Sequence, residues 1–130
     1  MEAAIPRILI VDDHDIVRHG VRDILETQDE WEVVGEGSDG FEAIQLNERL
    51  KPDAVVMDIN MPRMNGLEAT HEIMKLNPNC KVLILTVYDG SRFWPSIQNA
   101  GAKGLVSKSR AIDELTPALK AIISGETYFH

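Results

Sequence analysis

Aromatic side chains make up only 5% of this 130-residue chain, and cysteine occurs once, at Cys80. A lone cysteine excludes an internal disulfide, so the fold has to stand on its hydrophobic core. It also suits a reducing compartment, and the cytoplasm is the expected location. No run approaches the roughly 20 apolar residues that a membrane-spanning helix needs. The start, Met1-Glu2-Ala3-Ala4-Ile5-Pro6, lacks the basic-then-apolar layout of a secretory signal. Low-complexity tracts, blocks of like charge and internal repeats are missing as well. Basic residues number 13 against 21 acidic ones, and the net charge of −8 would repel a phosphate backbone, so this chain is not expected to bind nucleic acid itself. What it does have is 44% hydrophobic residues, enough for a core, in a length that suits one domain over residues 1–130.

Arg7 to Val11 is a short β-branched run of the kind found in strands buried on both faces, and it stops at Asp12-Asp13. From Ile16 the apolar spacing becomes helical, through Val17, Gly20, Val21, Ile24 and Leu25, with Arg18, Arg22, Asp23 and Glu26 on the opposite, polar side. Trp31 to Val34 predicts a second strand and Gly35 to Gly40 a turn. A second helix from Phe41 to Leu50 ends at Lys51-Pro52, because proline disfavours helical geometry in the preceding residue. Ala54 to Met57 is a third strand ending in Asp58, and a third helix opens at Asn65-Gly66 and stops at Asn77-Pro78. Val82 to Leu85 is a fourth strand ending in Thr86. A helix around Arg92 to Ala100, a strand over Gly104 to Ser107 and a helix around Asp113 to Ser124 complete five strand–helix units. Such alternation predicts a doubly wound α/β domain with a parallel sheet and helices on both faces. Pro117 predicts a late start or a kink in the last helix.

In an open parallel sheet the ligand crevice lies outside the carboxyl ends of the strands. The residues just past the apolar runs here are Asp12, Asp13, Asp58, Thr86 and Lys108. Three carboxylates in one crevice need neutralising, and hard oxygen donors of this kind suit Mg²⁺. Lys108 adds a point charge suited to phosphate. Metal and lysine together form a clamp for a transferring phosphoryl group, and a carboxylate can attack phosphorus to give an acyl phosphate, with Asp58, central in the sheet, as the nucleophile.

Ile8-Leu9-Ile10-Val11-Asp12-Asp13, Val55-Val56-Met57-Asp58-Ile59-Asn60-Met61-Pro62, Leu83-Ile84-Leu85-Thr86 and Gly104-Leu105-Val106-Ser107-Lys108 resemble the receiver domain of two-component response regulators over nearly the whole chain. Asp13 to Gly20, Asn99 to Ala102 and Ile122 to Phe129 are most similar to the NarL/FixJ subgroup, whose full-length members carry a LuxR-type helix-turn-helix domain after the receiver. The resemblance implies a flavodoxin-like fold, with five strands in the order 2-1-3-4-5 and five helices. It implies that Asp58 accepts phosphoryl from a sensor histidine kinase. It also implies that Asp13, Asp58 and the backbone carbonyl of Asn60 bind Mg²⁺, with Asp12 assisting through the metal's water shell. Lys108 would contact phosphoryl oxygens and Thr86 would carry the switch. Phosphorylation would promote a homodimer, and DNA would be bound by an output domain outside this chain. The chain departs from the family pattern at Leu105, where many receivers have an aromatic residue, and at Ser109, where many have proline. Val87 and Tyr88 flank the site at positions that tune phosphate lifetime in the family.

Taken singly, each site residue has a plainer role: an aspartate after a strand as turn former or cap, Thr86 as a strand-end hydroxyl, Lys108 as a solvated charge. Only their joint pattern favours chemistry. The four histidines, His14, His19, His71 and His130, supply no compact ligand set by spacing, and Cys80 is read as a small apolar packing residue. Phe93 and Trp94, near the switch face, are read as packing residues ahead of a partner contact. Two rival functions remain: a phosphorylation-independent interaction module, and a Mg²⁺-dependent phosphohydrolase. The second would want an acid/base carboxylate two residues after the nucleophile, where Asn60 stands.

Overall fold

The computed structural model describes residues 5–87 and 94–129. Strands β1 (Arg7–Val11), β2 (Glu32–Gly37), β3 (Ala54–Asp58), β4 (Lys81–Thr86) and β5 (Gly104–Ser107) alternate with helices α1 (Asp15–Glu26), α2 (Gly40–Leu50), α3 (Gly66–Leu76), α4 (Trp94–Ala100) and α5 (Ala111–Ile123). A 3₁₀ turn over Lys108–Arg110 joins β5 to α5. The expected five-strand sheet needs one correction. Tyr128–Phe129 forms a short β6, and the parallel order is 2-1-3-4-5-6. Its two residues pair with Gly104 and Leu105, and Phe129 packs 6.0 Å from the Trp94 ring. A two-residue strand is too short to show any periodicity, so sequence alone could not announce it.

Side chains alternate across a strand, and the core divides accordingly. Ile8, Ile10, Val56, Leu83 and Leu85 face α1 and α5. Leu9, Val11, Val55, Met57 and Ile84 face α2, α3 and α4. Strands buried on both faces explain why their sequences read as continuous apolar runs.

The helix boundaries have local causes. Asp39 caps α2 by accepting from the Glu42 N–H at 2.9 Å, and Asn65 caps α3 by accepting from the Glu68 N–H at 2.9 Å. Lys51 ends α2 in the left-handed region at φ 48°. The expected late start of α5 is also corrected. The helix starts early, at Ala111, and runs through Pro117 to Ile123. Burial of Leu115, Ala118, Leu119 and Ile122 on the sheet outweighs one missing backbone donor. Gly35 and Gly37, read as turn residues, instead extend β2. A Cβ on Gly35 would come 2.8 Å from the Leu50 side chain, so the glycine serves close packing rather than a bend. Arg92 and Phe93 lie outside the described residues. Among the described residues no helix is long and apolar enough to cross a membrane.

Cys80 is buried between α2 and the sheet, where Asn47 Nδ2 approaches its sulfur at 3.5 Å. Burial pushes its thiol up to about 11. At pH 8 an aromatic disulfide reagent should therefore label the native protein more than about a hundredfold more slowly than the urea-unfolded chain. Rapid labelling of native protein would contradict this packing.

Candidate functional site

Because the strands are parallel, the residues that follow β1, β3, β4 and β5 gather at one edge of the sheet. Asp12, Asp58 and Thr86 are buried there, and Asp13 is half-buried. Lys108 reaches in from the 3₁₀ turn. Its Nζ lies 2.9 Å from Asp12 Oδ2 and 3.4 Å from Asp58 Oδ2. The chain makes this reach with a trans Lys108–Ser109 peptide. Asp12, Asp13, Asp58 and Lys108 therefore lie together, and Thr86 ends the neighbouring strand β4 at the same edge of the sheet.

The electrostatics are those of a strained anionic pocket. Burial, and then the neighbouring Asp12 carboxylate, raise the pKa of Asp58 above the ordinary aspartate value, while Lys108 pulls it back. Asp12, Asp13, His14 and Asp58 each offer a donor atom, all within 4.8 Å of one another. Asp12 Oδ2 and Asp13 Oδ1 are shielded from solvent and accept no hydrogen bond with proper geometry, the Lys108 contact being a charge pair. Buried carboxylate oxygens without a well-formed hydrogen bond are costly unless a cation or ordered water meets them. Clustered carboxylate oxygens fit a hard divalent ion, so this cluster can hold a metal.

His14 was not expected here. Spacing gave the histidines no ligand set, yet the His14 Nδ1 stands 3.2 Å from Asp12 Oδ1 and 3.1 Å from Asp13 Oδ1 at the start of α1. Asn60 is exposed in the loop after β3. That loop is fixed by Gly66 N–H donating to the Ile59 carbonyl at 2.8 Å and Gly40 N–H donating to the Met64 carbonyl at 3.1 Å. The Arg63 guanidinium also pairs with the buried Asp39. Arg63 holds the left-handed region at φ 66°, a conformation that costs a non-glycine residue about 1 kcal/mol. Its side chain bonds Asp39 and lies 5.9 Å from the Phe41 ring. Gly66 is obligatory, since a Cβ there would fall 1.9 Å from the Asp58 carbonyl oxygen. Neither Arg63 nor Arg18 was singled out from sequence, because an arginine on a polar stretch reads as solvated. Val87 is exposed beside the site, and Tyr88 lies outside the described residues.

Residues 8–120 match the response regulator receiver domain family. The chain belongs to it. It is 40% identical to the transcriptional regulatory protein DegU of Brevibacillus brevis over 95% of this chain and 52% of that protein. It is also 40% identical to the oxygen regulatory protein NreC of Staphylococcus carnosus, over 94% of this chain and 57% of that protein. A solved LuxR-family two-component response regulator from Aurantimonas superposes with a TM-score of 0.91 at 40% identity, covering 96% of this chain and 89% of that one. These relatives support the NarL/FixJ resemblance, and the chain spans just over half the length of the curated proteins it matches. The receiver is thus a signalling domain of a two-component response regulator, related to transcriptional regulators.

The raised Asp58 pKa has a consequence for stability. Between the unfolded and folded pKa values the native state binds more protons than the unfolded chain, so this group's contribution becomes less favourable as pH rises through that window. In EDTA at neutral pH, Asp58→Asn should raise the melting temperature, and its advantage should shrink as pH falls through the raised Asp58 pKa toward the ordinary aspartate value. A melting temperature unchanged or lowered at neutral pH would mean that Asp58 carries no such penalty.

Proposed function

We propose that this receiver is a phosphoacceptor switch. In the cytoplasm, Asp58 takes a phosphoryl group from the phosphohistidine of a sensor histidine kinase, and the resulting acyl phosphate controls self-association and an output domain that binds DNA. The observation that supports this reading best is the Lys108 ammonium, held between Asp12 and Asp58 at a knot of buried carboxylates.

In this reading an Asp58 carboxylate oxygen attacks phosphorus in line with the departing nitrogen. The P–N bond breaks, and its electron pair returns to the kinase imidazole. Asp13, Asp58 and the Asn60 carbonyl are the residues assigned to Mg²⁺, with Asp12 acting through the ion's water shell. Bound Mg²⁺ would withdraw charge from the phosphoryl oxygens and relieve the carboxylates' mutual repulsion. Lys108, already inside the crevice, would shift from Asp58 to a phosphoryl oxygen. The Thr86 hydroxyl, buried at the end of β4, would donate a hydrogen bond to the new group. The chain thus performs its own phosphotransfer and autodephosphorylation without turning over a separate substrate.

Phosphorylation adds charge and three strong acceptors to a pocket built on β3, β4 and β5, so the surface formed by α4, β5 and α5 is where the change would emerge. Analytical ultracentrifugation with Mg²⁺ and beryllofluoride should show a larger dimer fraction than Mg²⁺ alone. Identical distributions would remove self-association from the mechanism.

Incubation with acetyl phosphate and Mg²⁺ should add one phosphoryl group by intact mass. That gain should be lost with Asp58→Asn and with EDTA. No gain in folded wild-type protein would favour a phosphorylation-independent interaction module instead.

A further inference from the structure

The polar side of α1 looks solvated in sequence, but its Arg18 side chain is only 15% exposed and has three separate anchors. Its Nη1 donates to the main-chain carbonyl of Asp12 at 2.8 Å, its Nε to Glu36 Oε1 at 2.9 Å, and its Nη2 to Asp15 Oδ1 at 2.7 Å. Asp12 is gripped on its other side as well, its N–H donating to the Gly37 carbonyl at 3.0 Å. The end of β2 therefore holds both peptide groups of Asp12, the N–H directly through Gly37 and the C=O through Glu36 and Arg18.

We propose that Arg18 is a positioning residue for the cation site, fixing the β1–α1 loop so that Asp12 and Asp13 stay turned toward Asp58. The inference rests on the reading of the crevice as a Mg²⁺ site. Its physical basis is repulsion. The three carboxylates repel one another; Lys108 offsets part of that repulsion at Asp12 and Asp58, and a restrained main chain opposes the rest by holding the β1–α1 loop in place. A guanidinium can bond in three directions from one rigid plane, whereas a lysine ammonium on a flexible stem cannot reproduce that fork.

Arg22 provides an internal control. It pairs with Glu36 and, at 2.6 Å, with Glu26, so it shares the α1–β2 network but does not bond to Asp12. Mg²⁺ titration by calorimetry on the whole chain, with urea denaturation alongside, separates local positioning from general stability. Arg18→Gln should weaken Mg²⁺ binding by about tenfold, as outer-shell substitutions typically do. Arg18→Lys should weaken it similarly, and it carries the test should the Gln variant not fold. Arg22→Gln should leave Mg²⁺ affinity unchanged even where it lowers stability. Wild-type affinity in both Arg18 variants, or an equal loss in Arg22→Gln, would overturn the positioning role alone. Absence of Mg²⁺ binding by the wild type would overturn the cation site itself, and this inference with it.

Discussion

Repulsion among carboxylates at one edge of the sheet is the constraint around which this domain is organised. Asp12 and Asp58 are taken out of water beside Asp13 and beside each other, and a single ammonium stands between them. Isolated buried charges are prohibitively unfavourable, so the arrangement persists only because Lys108 is delivered from the far side of the crevice by β5 and the turn that follows. The parallel sheet makes that possible. Charged residues distant in sequence meet because each follows a strand running the same way.

Two clamps keep the anionic loops from relaxing. The β1–α1 loop is held from β2, through Gly37 and through Arg18 with Glu36. The loop after β3 is held from the start of α2, through Gly40 and through Asp39 with Arg63. In each case an acidic residue beyond the crevice anchors an arginine, while at the site Asp12 and Asp58 share the ammonium of Lys108. The carboxylates left partly uncompensated are the ones able to attract a cation.

Much of this was legible in the sequence. The apolar runs at Ile8 to Val11, Ala54 to Met57 and Val82 to Leu85 marked strands buried on both sides, and the polar residues following them marked the crevice. What escaped had physical reasons. Gly35 and Gly37 carry turn chemistry in one dimension, but they act as close-packing residues against Leu50 and Leu46. Pro117 is tolerated because its helix is glued to the sheet on the opposite side. His14 joins the carboxylates through a turn geometry that spacing does not encode, and Arg18 and Arg63 are recruited by partners 18 and 24 residues away.

The missing Cβ of Gly66 sets the mechanical character of the site. With the α3 backbone pressed directly against the Asp58 carbonyl, β3 is backed at that point by main chain. Close-packed interiors transmit displacement rather than absorb it. The domain is therefore stiff on its α3 flank. The opposite flank is different in kind, since Thr86 and Lys108 stand there on two separate segments, the end of β4 and the turn after β5.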